Sequence, residues 1–193
     1  MNIIVKPYGS DFCYCRPDTT WERENKDFYS PECVMELHWA PIVFARVCKA
    51  GKCISGKFAE RYYDGVNFGA LLYCHTDGSS ETAFTSCADH TSLLPAPLYN
   101  PVVLENEGNI YQVTRNGERI FDLAERLPEH KQTLKQLVED AICRASRLTS
   151  LRIGDFVAVE LSPRSPLASC KDETVSFKAV YCEKELYDLK LVF

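Results

Sequence analysis

The run Ile42-Val-Phe-Ala-Arg-Val47 constrains this chain more than any other stretch. It is crowded with β-branched and aromatic side chains, which suit a buried pleated strand better than a helix. A basic turn around Gly51 follows, with Lys49, Lys52 and Lys57 reading as a solvated cluster. An aromatic segment then ends in Tyr62-Tyr63-Asp64. Phe58, Tyr62 and Tyr63 allow a helical turn, Gly65 and Gly69 break it, and residues 66–72 read as a second buried strand.

The remaining pattern is also rich in strands. Ile3-Ile4-Val5 opens the chain, and the segment from Phe12 reads as a strand ending at the turn signal Arg16-Pro17-Asp18. Phe28-Tyr29 before Pro31 is extended, because proline biases its predecessor away from helix. Pro95, Pro97 and Pro101 keep their segment extended and out of a helix. Asn116-Gly117 between two short β-prone runs predicts a hairpin, since this dipeptide suits the two positive φ angles of a type I′ turn. Residues 133–148 predict the principal helix. Leu134, Leu137, Val138, Ala141, Ile142, Ala145 and Leu148 recur at three- and four-residue spacing, and Thr133 with Gln136 forms a capping box. Three strands close the chain: one after Gly154-Asp155, then 174–181 and 186–193, the last two joined by a turn over 182–185. The expectation is one β-rich α+β domain over 1–193 with one principal helix.

Composition narrows the function classes. A net charge of -5 over 193 residues leaves no basic stripe to neutralise phosphates, which argues against nucleic acid. No apolar run approaches the roughly 20 residues of a membrane span. The start MNIIVKPYGS has only three apolar residues before Lys6-Pro7, so no secretory signal is read and a cytoplasmic location is expected. Ten cysteines in a reducing compartment argue against disulfides. No C-x-x-C occurs; Cys13-Tyr-Cys15 and Cys48-x4-Cys53 come nearest, and finger-like zinc spacing is missing. Most of the cysteines adjoin apolar residues and are expected to be small buried hydrophobes.

Four motifs, in order and spacing, carry a resemblance. They are Arg16-Pro-Asp-Thr19; Arg46-Val-Cys-Lys-Ala-Gly-Lys52 followed by Phe58-Ala-Glu-Arg-Tyr-Tyr-Asp64; the Asn116-Gly117 hairpin; and a helix ending in Ser150-Leu-Arg-Ile-Gly-Asp155. Together they resemble the C-terminal catalytic domain of the fumarylacetoacetate hydrolase family. The resemblance implies a mixed β-sheet roll, usually dimeric. It also implies Mg²⁺ or Mn²⁺ held by about three carboxylates, with hydrolase, isomerase or decarboxylase chemistry on β-diketones or 2-oxo acids. It sets two of those ligands, an E-x-E after a His, at Ala40 and Ile42 behind His38, and a third at Thr76 beside Asp77. A family Lys falls on Thr82 or Ala83. The substrate loop T-G-T-P reads Glu160-Leu-Ser-Pro163, which keeps the hydroxyl of Ser162 and loses the Gly. The family's N-terminal N-Y-x-x-H has no counterpart in this sequence.

Three functional readings follow. The first is a degenerate protein of this fold without the carboxylate site or metal, a binding or scaffold subunit. It would pair with itself or with an intact paralogue, and its small-molecule ligand is unspecified. The second is an enzyme using Mg²⁺ or Mn²⁺ on rearranged ligands. Its candidate acids are Glu36, Asp64, Asp77 and Asp89, and its candidate bases His38, His75 and His90, with Asp77 and Ser162 beside His38 as candidate catalytic groups. On the first reading Asp64 instead caps or pairs with Arg61, and His38 is a satisfied core histidine. The third is a thiol or zinc site built from Cys74, His75 and Cys87.

Overall fold

The computed structural model describes residues 1–76, 82–106, 108–126 and 132–193. Its strands are Ile3–Lys6 (β1), Tyr14–Arg16 (β2), Trp21–Glu22 (β3), Phe28–Tyr29 (β4), Val34–Val47 (β5), Tyr63–Thr76 (β6), Ser92–Leu93 (β7), Tyr111–Arg115 (β8), Glu118–Asp122 (β9), Phe156–Glu160 (β10), Ser165–Ser169 (β11), Thr174–Tyr181 (β12) and Lys184–Val192 (β13). Two helical turns, Thr82–Thr85 (α1) and Leu123–Arg126 (α2), accompany the principal helix Leu134–Leu148 (α3). The class is α+β and mostly β, as the sequence predicts. The helix starts on the expected capping box: Thr133 Oγ1 accepts from the Gln136 amide, and the Gln136 side chain accepts from the Thr133 amide.

One mixed sheet runs β2-β1-β10-β5-β6-β7-β3, with β11 also on β5; a second runs β4-β13-β12-β8-β9. The strand around Ile42 is the spine of the first and spans 14 residues rather than six. It passes straight through Pro41, a residue normally excluded from central strands. The reason lies in its neighbours. On one side β5 pairs continuously with β6; on the other, β10 covers residues 42–46 and β11 covers 36–39. Pro41 falls at the seam, where its carbonyl accepts from Leu161 N at 2.8 Å and a missing N–H leaves no ladder bond unmade.

Alternate residues of β5 face two cores. Leu37, Trp39, Val43, Ala45 and Val47 pack towards the second sheet and α3, with Trp39 edge-on to Phe121 and Phe177. Ala40, Ile42 and Phe44 face a smaller core with Ile3, Val5, Leu71, Phe156 and Ala158. That core is enclosed because the first sheet rolls onto itself. Tyr14 and Arg16 of edge strand β2 reach Tyr73 and Leu72 of β6, and Trp21 of the opposite edge packs on Phe156 of β10. Arg16 is fully buried. Its Nε donates to Ser86 O at 3.0 Å, and its Nη2 to Leu72 O at 2.8 Å and Thr91 Oγ1 at 2.7 Å. Its Nη1 has no hydrogen-bond partner among the described residues, and its guanidinium carbon lies 5.1 Å from the Tyr73 ring centroid.

Some local expectations hold and others change. The helical turn ends before Gly65, as expected, and β6 runs through both Gly65 and Gly69. Gly69 lies inside it because a Cβ there would sit 2.1 Å from Leu93 O, so glycine admits the neighbouring backbone. Phe58 and Tyr62 lie in a 3₁₀ helix, Gly56–Tyr62. Pro101 opens a second one, Pro101–Glu105, contrary to the expectation of extended chain; its missing N–H suits a first helical position, and Asn100 caps it. The Asn116-Gly117 hairpin has φ of 50° and 81°. The turn expected between β12 and β13 forms, and it repeats that geometry with Cys182 and Glu183 at 46° and 68°. Asp64 does not pair with Arg61. It takes a two-pronged bond from Arg46, its strand neighbour, at 3.0 and 2.9 Å.

The burial contrast between two arginines gives a test. Arg16→Met should lower the urea-unfolding free energy by about 2–4 kcal/mol, because charge-assisted bonds to buried acceptors are lost. Arg46→Met, at an exposed pair, should cost less than about 1 kcal/mol. Equal losses would mean Arg16 does not hold the roll.

Candidate functional site

The small core changes character along one face of the sheet. From Phe44 through Ile42 and Ala40 it is apolar. At the next inward positions, His38 on β5 and Tyr73 opposite it on β6, it becomes polar. Period-two alternation dictates this, since residues 36, 38, 40, 42 and 44 share a face.

Glu160, the last residue of β10, is the hub. Its side chain is 2 % exposed. Oε1 accepts from the Tyr73 hydroxyl and from Arg164 Nε at 3.0 Å, and Oε2 accepts from Tyr8 N at 3.0 Å. Tyr73 therefore donates to the carboxylate, and Tyr14 donates to the Tyr73 oxygen at 2.8 Å. The Arg164 guanidinium carbon lies 3.9 Å from the Tyr73 ring centroid. Burial, then the neighbouring Tyr14 and Glu160, push the Tyr73 phenol far above its ordinary range, so it stays a proton donor. A buried carboxylate is tolerated here because it has three donors, one of them a cation.

Beyond this network stand two histidines. The rings of His38 and His75 lie 4.2 Å apart, centroid to centroid, tilted by 39°. His38 Nε2 is 3.4 Å from Glu36 Oε2, and Glu36 is the cross-strand partner of His75. His38 is thus partly exposed, with a carboxylate and a second imidazole for company, and is not the satisfied core histidine expected. Desolvation, followed by His38, pushes the His75 imidazole below its ordinary value, while Glu36 opposes.

The other candidates scatter. Ser162 bonds only to Pro163 O at 3.2 Å, a local turn contact. Thr76 ends β6 opposite Val34. Asp77 lies outside the described residues. Asp64 is tied to Arg46, and Asp89 lines a separate cavity with His90. His90 is not idle surface: its Nδ1 is 2.8 Å from the carboxylate of Glu22, whose side chain is 5 % exposed. The cysteine expectation is largely overturned. All ten are free thiols, but only Cys74 is buried, and six are exposed because apolar neighbours in sequence do not set the direction of a side chain. Burial pushes the Cys74 thiol up to about 11, opposite to what a nucleophile needs. Exposed Cys87 donates to Ala83 O at 2.7 Å. Sequence reasoning overlooked Tyr14, Tyr73, Glu160 and Arg164. The available signal was an acid closing an otherwise apolar alternating strand.

The motifs that carried the resemblance are structural. Arg46 and Asp64 clamp β5 to β6. Asp155, after Gly154 at φ 89°, accepts from Asn2 N and Arg152 N at 2.8 Å each, pinning the start of the chain to the turn after α3. No family model and no curated protein matches the sequence. Solved structures do match. Fumarylpyruvate hydrolase from Pseudomonas aeruginosa, in complex with Mn²⁺ and pyruvate, aligns over 100% of this chain and 88% of its own at 14% identity and TM-score 0.71. Fumarylacetoacetate hydrolase from Exiguobacterium antarcticum aligns over 99% and 74% at 11% identity and TM-score 0.76. The chain has the fumarylacetoacetate hydrolase fold. An isomerase, 5-carboxymethyl-2-hydroxymuconate delta-isomerase from Mycobacterium smegmatis, shares this fold at 11% identity and TM-score 0.70, over 99% of this chain and 77% of its own.

Among the described residues, the positions to which the resemblance assigns metal ligands do not form a set for Mg²⁺ or Mn²⁺. Hard cations need clustered oxygen ligands. Ala40 and Ile42 offer none, and among the described residues no group of three His, Cys, Asp or Glu side chains is placed to hold a metal ion.

Two tests follow. A histidine with a depressed folded-state pKa binds fewer protons folded than unfolded, so stability falls as pH drops below about 6.5. The urea midpoint should decline through that window, and less steeply in His75→Gln; parallel slopes would remove the role given to His75. Iodoacetamide near neutral pH should modify exposed Cys33, Cys87 and Cys170 in the native protein and leave Cys74 intact until urea is added, as read by peptide mass spectrometry.

Proposed function

We propose that this chain is a non-catalytic protein of the fumarylacetoacetate hydrolase fold, a cytoplasmic binding or scaffold subunit that works as a homodimer or beside an intact paralogue. One observation carries the reading. Ala40 and Ile42 are both wholly buried in a filled apolar core, between Phe44, Leu71 and Phe156, where the family resemblance expects two carboxylates. Without oxygen donors there, nothing holds a Lewis acid against a β-diketone or enolate oxygen. The polar end of the same face is closed by Tyr14, Tyr73, Glu160 and Arg164, whose groups satisfy one another.

A second reading is an enzyme with rearranged ligands. The meeting of His38 with His75 beside Glu36 favours it. On that reading the imidazoles would act as bases and Glu36 as one acid. Mg²⁺ or Mn²⁺ would need further oxygen ligands, since among the described residues no three His, Cys, Asp or Glu side chains are placed to hold an ion.

Elemental analysis by mass spectrometry, with thermal-shift titrations of Mg²⁺, Mn²⁺ and Zn²⁺, separates the two. The proposal expects no stoichiometric ion and no shift that grows with concentration. Mg²⁺ or Mn²⁺ bound at one per chain would replace it with the second reading, and bound Zn²⁺ with a zinc site. Ala40→Glu with Ile42→Glu should yield no metal-dependent turnover and should destabilise the fold by at least about 3 kcal/mol, because two carboxyl groups enter a dry core.

A further inference from the structure

A cavity of about 620 Å³ lies apart from the tyrosine–glutamate–arginine network and shares no lining residue with it. Its walls come from the segment between β3 and β5 and from the loop after α1. Phe28, Tyr29, Pro31 and Ala88 supply an apolar lining; Glu22, Lys26, Asp27, Asp89 and His90 supply the charge. Its size falls within the range of small-molecule sites, which are mostly apolar with a few fixed polar groups.

The charges are not equivalent. Glu22 is buried and fully engaged: Oε1 accepts from Glu24 N at 2.7 Å and Lys26 N at 3.4 Å, and Oε2 faces His90 Nδ1 at 2.8 Å. It shapes the wall and is not available to a ligand. Lys26 is neutralised by Glu24 at 2.5 Å. Two carboxylates remain without a cation among the described residues. Asp27 accepts at Oδ1 from Lys190 N at 2.8 Å, and Asp89 has no ion pair or hydrogen bond among the described residues. The cavity's uncompensated charge is negative, and the exposed face of Tyr29 stands at its lining. An anion entering would meet Asp27 and Asp89 while Lys26, the one lysine of the lining, is already paired with Glu24. A cation would be attracted by both acids and by an aromatic face.

We propose that this cavity is a binding site for a small amphipathic organic cation: an ammonium group for Asp89 and Asp27, on an aromatic or aliphatic body that packs on Phe28, Pro31 and Ala88. The inference stands whether or not the chain is catalytic.

The test uses the full chain and a matched pair of probes, 2-phenylethylamine and 3-phenylpropionate, which have similar size and opposite charge. Each is titrated near neutral pH with amide chemical shifts as the readout. The amine should give saturable shifts at Phe28, Tyr29, Ala88 and His90, and the acid should not. Asp89→Asn should weaken the amine about tenfold. Ala88→Leu, which fills the cavity, should abolish the shifts while the rest of the spectrum stays folded. Equal binding of the two probes overturns the proposal. So does the absence of saturation up to about 10 mM, the weak end of specific affinity. Shifts centred on other residues, or unchanged affinity in Asp89→Asn, also overturn it.

Discussion

A buried guanidinium that, among the described residues, bonds to carbonyls and a hydroxyl and to no carboxylate closes this protein. Arg16 gives up hydration for two carbonyls and a hydroxyl supplied by three separate places in the chain: β6, the end of α1 and the loop before β7. A charge so buried is stable only if those acceptors stay fixed. The converse also holds. With them fixed, an edge strand at one end of the first sheet is held against β6, four positions away in strand order. The small core, the tyrosine pair and the approach to the histidines all exist because that closure is made.

What the closure encloses decides the chemistry. The inner face is apolar and filled around Ala40 and Ile42, and its polar end is a network whose donors and acceptors match one another. A catalytic centre normally keeps some polar group poised for a substrate. Here the groups that remain open towards solvent are His38, His75 and Glu36 at the rim. The fold is shared with hydrolases and an isomerase.

The sequence was legible where local chemistry alone decides structure. The capping box at Thr133, the spacing of α3 and the Asn116-Gly117 turn need nothing from the rest of the chain. It was less legible where a residue's role depends on a distant partner. Pro41 reads as a strand breaker until the switch from β10 to β11 is known. The need for glycine at position 69 is invisible until Leu93 is found against it. The polar segment after Tyr181 signals a turn, but not its positive φ angles at Cys182 and Glu183, which the ladder between β12 and β13 imposes. The site suffered most. Glu160 is a long way in sequence from Tyr14 and Tyr73, and no spacing rule joins them. The motifs that made the fold recognisable, Arg46 with Asp64 and Gly154-Asp155, turn out to be fasteners. This accounts for their place in a chain that has Ala40 and Ile42 where the resemblance sets metal ligands.

The seam at Pro41 has an architectural meaning. Between β10 and β11 the chain leaves the ladder for residues 161–164 and then rejoins the same neighbour, β5. A proline facing that gap asks nothing of it, so the excursion carries no obligation to the sheet beyond the single bond at Leu161. The excursion delivers Arg164 to the mouth of the roll. Such a seam works like a detachable panel in a rigid wall. Its outer residues can be exchanged during evolution with the ladders on either side undisturbed, so the chemistry presented at the mouth can be rewritten without rewriting the fold.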